Sequence, residues 1–194
     1  MISVKNGVSV CVVNTSNYYD DVFEVMLNLA DEHIKQRIKK LQNKQQKINS
    51  LVGNVLRKYM IKSVFKIDFK DQVISFEKNG KLFLKDYPHI HFNISHSEDF
   101  VACVVADKRV GIDIQKIIPA KDNISKYVFN EITIDLINNS LNKDLEFTKQ
   151  WTKLEAYLKL KGTGFVGNKK SFESNVKWEF AYVGDYVICV ATAN

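Results

Sequence analysis

Trp151, Glu155 and Lys159 stand four residues apart, so on a helix they line one stripe. A ring, a carboxylate and an ammonium then stand in a row, and Gly162 and Gly164 follow just past the expected last turn. The pair Glu155 and Lys159 can work as an acid–base and cation pair. It can equally be a surface ion pair worth about 0.3–0.5 kcal/mol. Upstream, Asn93-Ile94-Ser95-His96-Ser97 and Gly111-Ile112-Asp113-Ile114-Gln115 add a hydroxyl, an imidazole, a second carboxylate and an amide. Neighbouring residues of a strand point to opposite faces, so Ser95 and His96 do not form a nucleophile–base pair. His89 and His91 lack the cysteines or the spaced second pair that a zinc site needs.

The segments FNISHS (92–97), GIDIQK (111–116) and WTKLEAYLKLKGTG (151–164) resemble, in order and spacing, the signature of the 4′-phosphopantetheinyl transferases. The match is with the surfactin-synthetase-activating type, whose pattern runs FNxSHS, GIDIE and WxxKEAxxKxxGxG, and it extends weakly over residues 32–172. The resemblance implies transfer of the phosphopantetheine arm of coenzyme A to a serine of an apo acyl or peptidyl carrier protein, with release of adenosine 3′,5′-bisphosphate. It implies a Mg²⁺ cofactor held by Asp113 and Glu155, with Glu155 also the general base, directly or through water. Gln115 stands where many relatives carry a glutamate, a third metal ligand; an amide oxygen can ligate but brings no charge. Lys159 and His96, with Ser95 beside it, are expected at the phosphates of coenzyme A. Gly80 and Lys81 match a turn that contacts the adenine nucleotide, with Leu82 replacing its proline. Arg37 and Lys40 match basic positions for the 3′-phosphate or pyrophosphate, although a basic run on a helix is often only a solvated face. An arginine usual in the next helix is Asn49 here, leaving Lys44 or Lys47 as substitutes. The first motif lysine is displaced: Leu154 precedes Glu155, and Lys153 lies about 100° round the helix. Trp151 is either channel lining or core. The rival reading is a basic binding module of the same fold, for RNA or acidic proteins, without the chemistry.

Composition sets the frame. The 194 residues are 45% hydrophobic and 26% charged, with a net charge of +6. The basic balance invites an acidic or phosphate-rich partner. Only Arg37, Arg57 and Arg109 are arginines, which counts against a reader of base edges, so no nucleic acid is expected. No apolar run approaches the ~20 residues of a membrane span, and the N-terminus has no signal-peptide pattern. Cys11, Cys103 and Cys189 sit in apolar runs, as small buried hydrophobes of a reducing compartment. A cytoplasmic monomer is expected.

The elements that must position these residues read as α+β. Strands are predicted over 8–13, 91–95, 100–106 and 109–115, and a hairpin over 73–84 around Asn79-Gly80. The first of these strands to follow the hairpin ends at Ser95-His96. Phe100 to Ala106 is apolar throughout, as in a strand buried on both faces. From Val110 the chain alternates: Val110, Ile112 and Ile114 on one face, Gly111, Asp113 and Gln115 on a polar one. Helical periodicity covers 19–29, 31–41, 45–64, 125–128, 131–138 and a long run from near Leu145. Gly53, inside the third of these, costs about 1 kcal/mol against alanine and marks close packing. A final hairpin over 177–191 turns at Gly184-Asp185. Helix followed by strands occurs twice, which suggests two similar halves, 1–106 and 107–194. The resemblance implies a pseudo-twofold relation between them and an active site in the cleft.

Overall fold

The computed structural model describes residues 3–5, 7–16, 20–164 and 172–194. Strand β1 (Ser3–Lys5) precedes β2 (Val8–Asn14). Three helices follow: α1 (Asp20–Leu29), α2 (Glu32–Lys40) and α3 (Lys44–Phe65). Tyr19, where the sequence periodicity begins, lies outside the described residues. A short hairpin, β3 (Ile74–Phe76) and β4 (Leu82–Leu84), leads to β5 (His91–Ser97) and β6 (Phe100–Ala106). The second half holds β7 (Val110–Lys116), α4 (Asp122–Val128), α5 (Glu131–Asn138), α6 (Lys143–Lys161), β8 (Val176–Val183) and β9 (Tyr186–Ala193).

Among the described residues, besides the two-stranded β3-β4 hairpin, two larger antiparallel sheets form, one ordered β1-β2-β6-β5 and the other β7-β9-β8. Each contains the same connection: a strand, a long helix, then a hairpin whose last strand inserts beside the first. Period-two burial explains the layering. Val101, Cys103 and Val105 of β6 pack towards α3, while Ala102, Val104 and Ala106 face Val110, Ile112 and Ile114 of β7 and Ile188 and Val190 of β9. The two sheets therefore share an apolar interior, with α3 on the outer face of one and α6 on that of the other. Gly53 is required where α3 meets β5: an added Cβ would lie 2.8 Å from Ile94. α6 starts at Asn142, whose side chain accepts from the Leu145 amide, and stops at Gly162 in the left-handed region at φ 71°.

Two expectations need correction. β5 does not end at Ser95-His96; it runs to Ser97 because Ser97 pairs with Phe100 across the tight turn into β6. The Gly111–Asp113 face of β7 is not an open polar face. α6 crosses it so closely that a Cβ on Gly111 would stand 2.1 Å from the Ala156 carbonyl oxygen and 2.4 Å from the Leu160 nitrogen. Asp113 is consequently only 6% exposed. The three cysteines are free; Cys103 and Cys189 are buried and Cys11 is half-buried, and burial pushes the thiols of Cys103 and Cys189 up.

Candidate active site

β5 meets β7 at the joint between the sheets, through side chains in place of a backbone ladder. Asn93, Ser95 and Ser97 point from one face of β5 at the free edge of β7. Asn93 Oδ1 accepts from the Ile112 amide at 3.0 Å, Ser95 Oγ from Ile114 at 3.4 Å, and Ser97 Oγ from Lys116 at 3.1 Å. The period-two polar pattern inside FNISHS is thus a seam that satisfies a strand edge. Ser95 does more. Its hydroxyl donates to Asp113 Oδ1 at 2.7 Å and accepts from Lys159 Nζ at 2.8 Å. Lys159 also donates to Asp113 Oδ1 at 2.6 Å. Strand β5, strand β7 and helix α6 therefore meet at one buried carboxylate.

Glu155 lies one turn before Lys159. Burial raises its carboxyl pKa above the ordinary 4.5, the negative charge of Asp113 raises it further, and Lys159 opposes both. Two carboxylates close enough to repel, with one ammonium on them, can hold a hard divalent cation through oxygen. Among the described residues, there is no group of three or more His, Cys, Asp or Glu that could hold a metal ion. Gln115 is half-buried beyond Asp113 on the same strand, and its amide donates to the Lys116 carbonyl at 3.2 Å.

Two cavities share the residues Gly80, Lys81 and Asn93. The one of about 210 Å³ is lined by Glu155, Lys159, Gly162 and Gly164 from the second half. The one of about 280 Å³ is lined by Arg37, Asn49, Ser50, Phe92 and His96 from the first. The two cavities thus adjoin, with Glu155 and Lys159 lining one and Arg37 and His96 the other, while buried Asp113 lines neither. Although its edge is open, His96 has a pKa pushed below 6.5 by packing around the ring, and then by Lys159 and Arg37. It is neutral at pH 7 and offers a donor without a charge.

Several expected contacts lie elsewhere. Ser95 is turned away from His96, with its hydroxyl engaged by Asp113 and Lys159. Lys81 lines both cavities, but its ammonium donates to the carbonyls of Lys159 at 2.8 Å, Leu160 at 3.0 Å and Val110 at 3.3 Å. A lysine at the C-terminal end of a helix suits the helix dipole. Burial, then the neighbouring Arg109, lowers its pKa to about 8, against the opposing pull of Glu77. Lys81 thus fastens the β3–β4 hairpin to the end of α6 and has no ammonium hydrogen aimed at a nucleotide. Lys40 is exposed and lines neither cavity. Lys153, one position from the displaced motif lysine, has its ammonium 4.7 Å from the Phe172 ring centre and 4.8 Å from that of Trp178. Leu154, in the motif position, is core. Trp151 packs against that same core. Asn49 is buried, bonded to Thr15, Gln45 and the Glu98 carbonyl, at the edge of the larger cavity.

Two groups went unassigned in the sequence reading. Asn93 lines both cavities, and only the alternation Asn93, Ser95, Ser97 signals its place. Asp31 binds Arg57 at 2.5 Å and Lys58 at 2.9 Å, and accepts from Asn54 at 2.9 Å. This buried cluster ties the start of α2, and with it Arg37, to α3. Nothing local in the sequence pairs residues that far apart.

Comparison with known proteins decides the lineage. A family model for the N-terminal part of 4′-phosphopantetheinyl transferase matches residues 17–108, and the 4′-phosphopantetheinyl transferase superfamily model matches residues 109–190. The chain belongs to the 4′-phosphopantetheinyl transferase superfamily. Similar relatives are the 4′-phosphopantetheinyl transferase psf-1 of Bacillus pumilus, 32% identical over 66% of this chain and 55% of that one, and the transferase Sfp of Bacillus subtilis, 30% identical over 73% and 64%. The transferase gsp of Aneurinibacillus migulanus is 33% identical over 78% and 64%. These matches are of the Sfp-like type, and each covers less than two thirds of the relative's own length. A crystal structure of a holo-(acyl-carrier-protein) synthase from Bacillus anthracis aligns with 51% of this chain and 92% of its own, at a TM-score of 0.41 and 18% identity. Among the described residues, no helix is long and apolar enough to cross a membrane.

Proposed function

We propose that this chain is a magnesium-dependent 4′-phosphopantetheinyl transferase that modifies a serine of an apo acyl or peptidyl carrier protein. The observation that carries this is the meeting of Asp113, Glu155 and Lys159 beside a cavity that adjoins a second one lined by Arg37 and His96. Membership of the superfamily supports the same reaction. The two halves, 1–106 and 107–194, would be related by a pseudo-twofold axis with the cleft between them. We place the protein in the cytoplasm as a monomer.

Oxygen donors fit Mg²⁺. Asp113 and Glu155 would hold it, with the Gln115 amide oxygen as a neutral third donor and waters completing the shell. Bound there, the ion supplies neutralising charge to the pyrophosphate of coenzyme A. The remaining work falls to the protein's own groups. Arg37, with its planar fork, and neutral His96 bind phosphate oxygens at the larger cavity. Lys159 donates to a phosphate oxygen on the other side of Gly80. The carrier serine attacks the phosphorus that bears pantetheine. A new serine Oγ–P bond forms and the P–O bond to adenosine 3′,5′-bisphosphate breaks. Glu155 takes the serine proton, directly or through a water. Ser95 holds Asp113 in register, and Lys81 keeps α6 against the hairpin.

The test is intact-mass measurement of a panel of apo carrier proteins incubated with the protein, coenzyme A and Mg²⁺. The reading requires one carrier to gain the mass of one phosphopantetheine. No gain on any carrier would remove it.

A further inference from the structure

Lys159 stands where a phosphate ligand has no need to be. Its ammonium donates to Asp113 Oδ1 and Ser95 Oγ, at 2.6 and 2.8 Å, and the Asp113 side chain is only 8% exposed. The Lys159 side chain is 27% exposed and lines the 210 Å³ cavity from the same side as Glu155. Asp113 and Glu155 repel one another across this spot, and the ammonium is the cation that opposes the repulsion. A divalent cation on the same two carboxylates would bring like charge against that ammonium within a few ångströms, so the two compete for one place. A lysine is suited to yield. Its charge rides on a flexible four-carbon stem and can follow an anion into the adjoining cavity.

We propose that Lys159 is an internal stand-in for the divalent cation in the substrate-free protein, and that a diphosphate ligand draws it off Asp113 and opens the site to the metal. The inference rests on the reading of the cleft given above. It makes metal affinity low until the diphosphate arrives, and it gives Lys159 two positions with separate partners: Asp113 and Ser95 before binding, a phosphate oxygen after. The coupling is reciprocal, so metal bound at Asp113 also frees Lys159 for phosphate.

The test uses Mn²⁺ as the probe, followed by electron paramagnetic resonance of the free ion, with and without coenzyme A and with no carrier present. Lys159→Met should bind Mn²⁺ about tenfold or more tightly than the wild type without coenzyme A, the scale of one charge-assisted hydrogen bond removed from competition. Coenzyme A should tighten Mn²⁺ on the wild type and do so much less on the variant. Lys161→Met removes a charge from the same helix, where Lys161 pairs with Glu173, and should change Mn²⁺ affinity by no more than about twofold because that charge is exposed. Equal or weaker Mn²⁺ binding by Lys159→Met overturns the proposal, as does an equal gain in Lys161→Met, which would reduce the effect to net charge. Should Lys159→Met fail to fold in chelator, recovery of its cooperative melt on adding Mn²⁺ supports the stand-in. Failure to recover, in it and in Lys159→Gln, makes the lysine purely structural and overturns it. A wild type that modifies a carrier while Lys159→Met gains no Mn²⁺ affinity retains the transferase reading and loses the stand-in. A wild type that binds neither Mn²⁺ nor coenzyme A loses both.

Discussion

Gly111→Ala should separate the two elements that carry the carboxylates. The added methyl would stand 2.1 Å from the Ala156 carbonyl oxygen and 2.4 Å from the Leu160 nitrogen, both backbone atoms of α6. To reach an ordinary contact of about 3.5 Å, the helix must retreat by about 1.4 Å. Side-chain rotation cannot relieve the contact, since neither atom belongs to a side chain. Overpacking of this kind costs about 1–3 kcal/mol, and here it falls on buried β7 beneath a buried helix. The same retreat carries Glu155 and Lys159 away from Asp113, and a misplacement of about 1 Å can cost about a hundredfold in rate. Urea unfolding should show a lower midpoint with an unchanged slope. Carrier modification, measured on the fraction still folded, should fall by about two orders of magnitude. A variant with wild-type midpoint and rate would mean that α6 does not cross β7 at Gly111, and the construction of the site would fail with it.

Ser95→Ala leaves the buried Asp113 and Lys159 each short of a partner, so stability should drop by about 1.5–3 kcal/mol in denaturant titration; a loss under about 0.5 kcal/mol would mean the hydroxyl is not engaged there. Glu155→Gln should stabilise the metal-free fold at neutral pH. The folded pKa of Glu155 is raised, so its contribution is present below 4.5 and is lost as pH rises through the folded value. Melts should therefore favour the variant at pH 7 and converge at pH 4, and a gap that widens towards acid would contradict this sign. Gln115→Glu should tighten Mg²⁺ dependence of carrier modification by adding charge beside Asp113, and an unchanged titration would take residue 115 out of the metal's shell.

Much of this architecture is legible in the chain. The long alternating and apolar runs mark β6, β7 and β9, and the three- and four-residue spacings mark α3 and α6, because each element buries one or both faces. The pairing of Glu155 and Lys159 on one stripe follows from helical period alone. What the sequence conceals is which polar groups meet between elements. The alternation in β7 puts Asp113 on a polar face, and only the approach of α6 at Gly111 turns that face inward. Lys81 reads as a nucleotide contact by its turn motif, whereas the carbonyls it caps belong to residues 110, 159 and 160. Lys153 illustrates the converse: one helical step, about 100° from the motif position, places its ammonium over Phe172 and Trp178. The contacts of Asp31 with Arg57 and Lys58 span helices, and no periodicity within one helix encodes them.

If these residues transfer a phosphopantetheine arm to a carrier serine, a single turnover has a fixed stoichiometry. Excess protein, Mg²⁺, a limiting amount of coenzyme A and an apo carrier are mixed. Adenosine 3′,5′-bisphosphate is quantified by chromatography beside the intact mass of the carrier. One bisphosphate should be released for each phosphopantetheine gained, and none when the carrier's acceptor serine is replaced by alanine. Bisphosphate released without the acceptor serine would mean hydrolysis, and no release with any carrier would mean that Asp113, Glu155 and Lys159 do not form a transferase site.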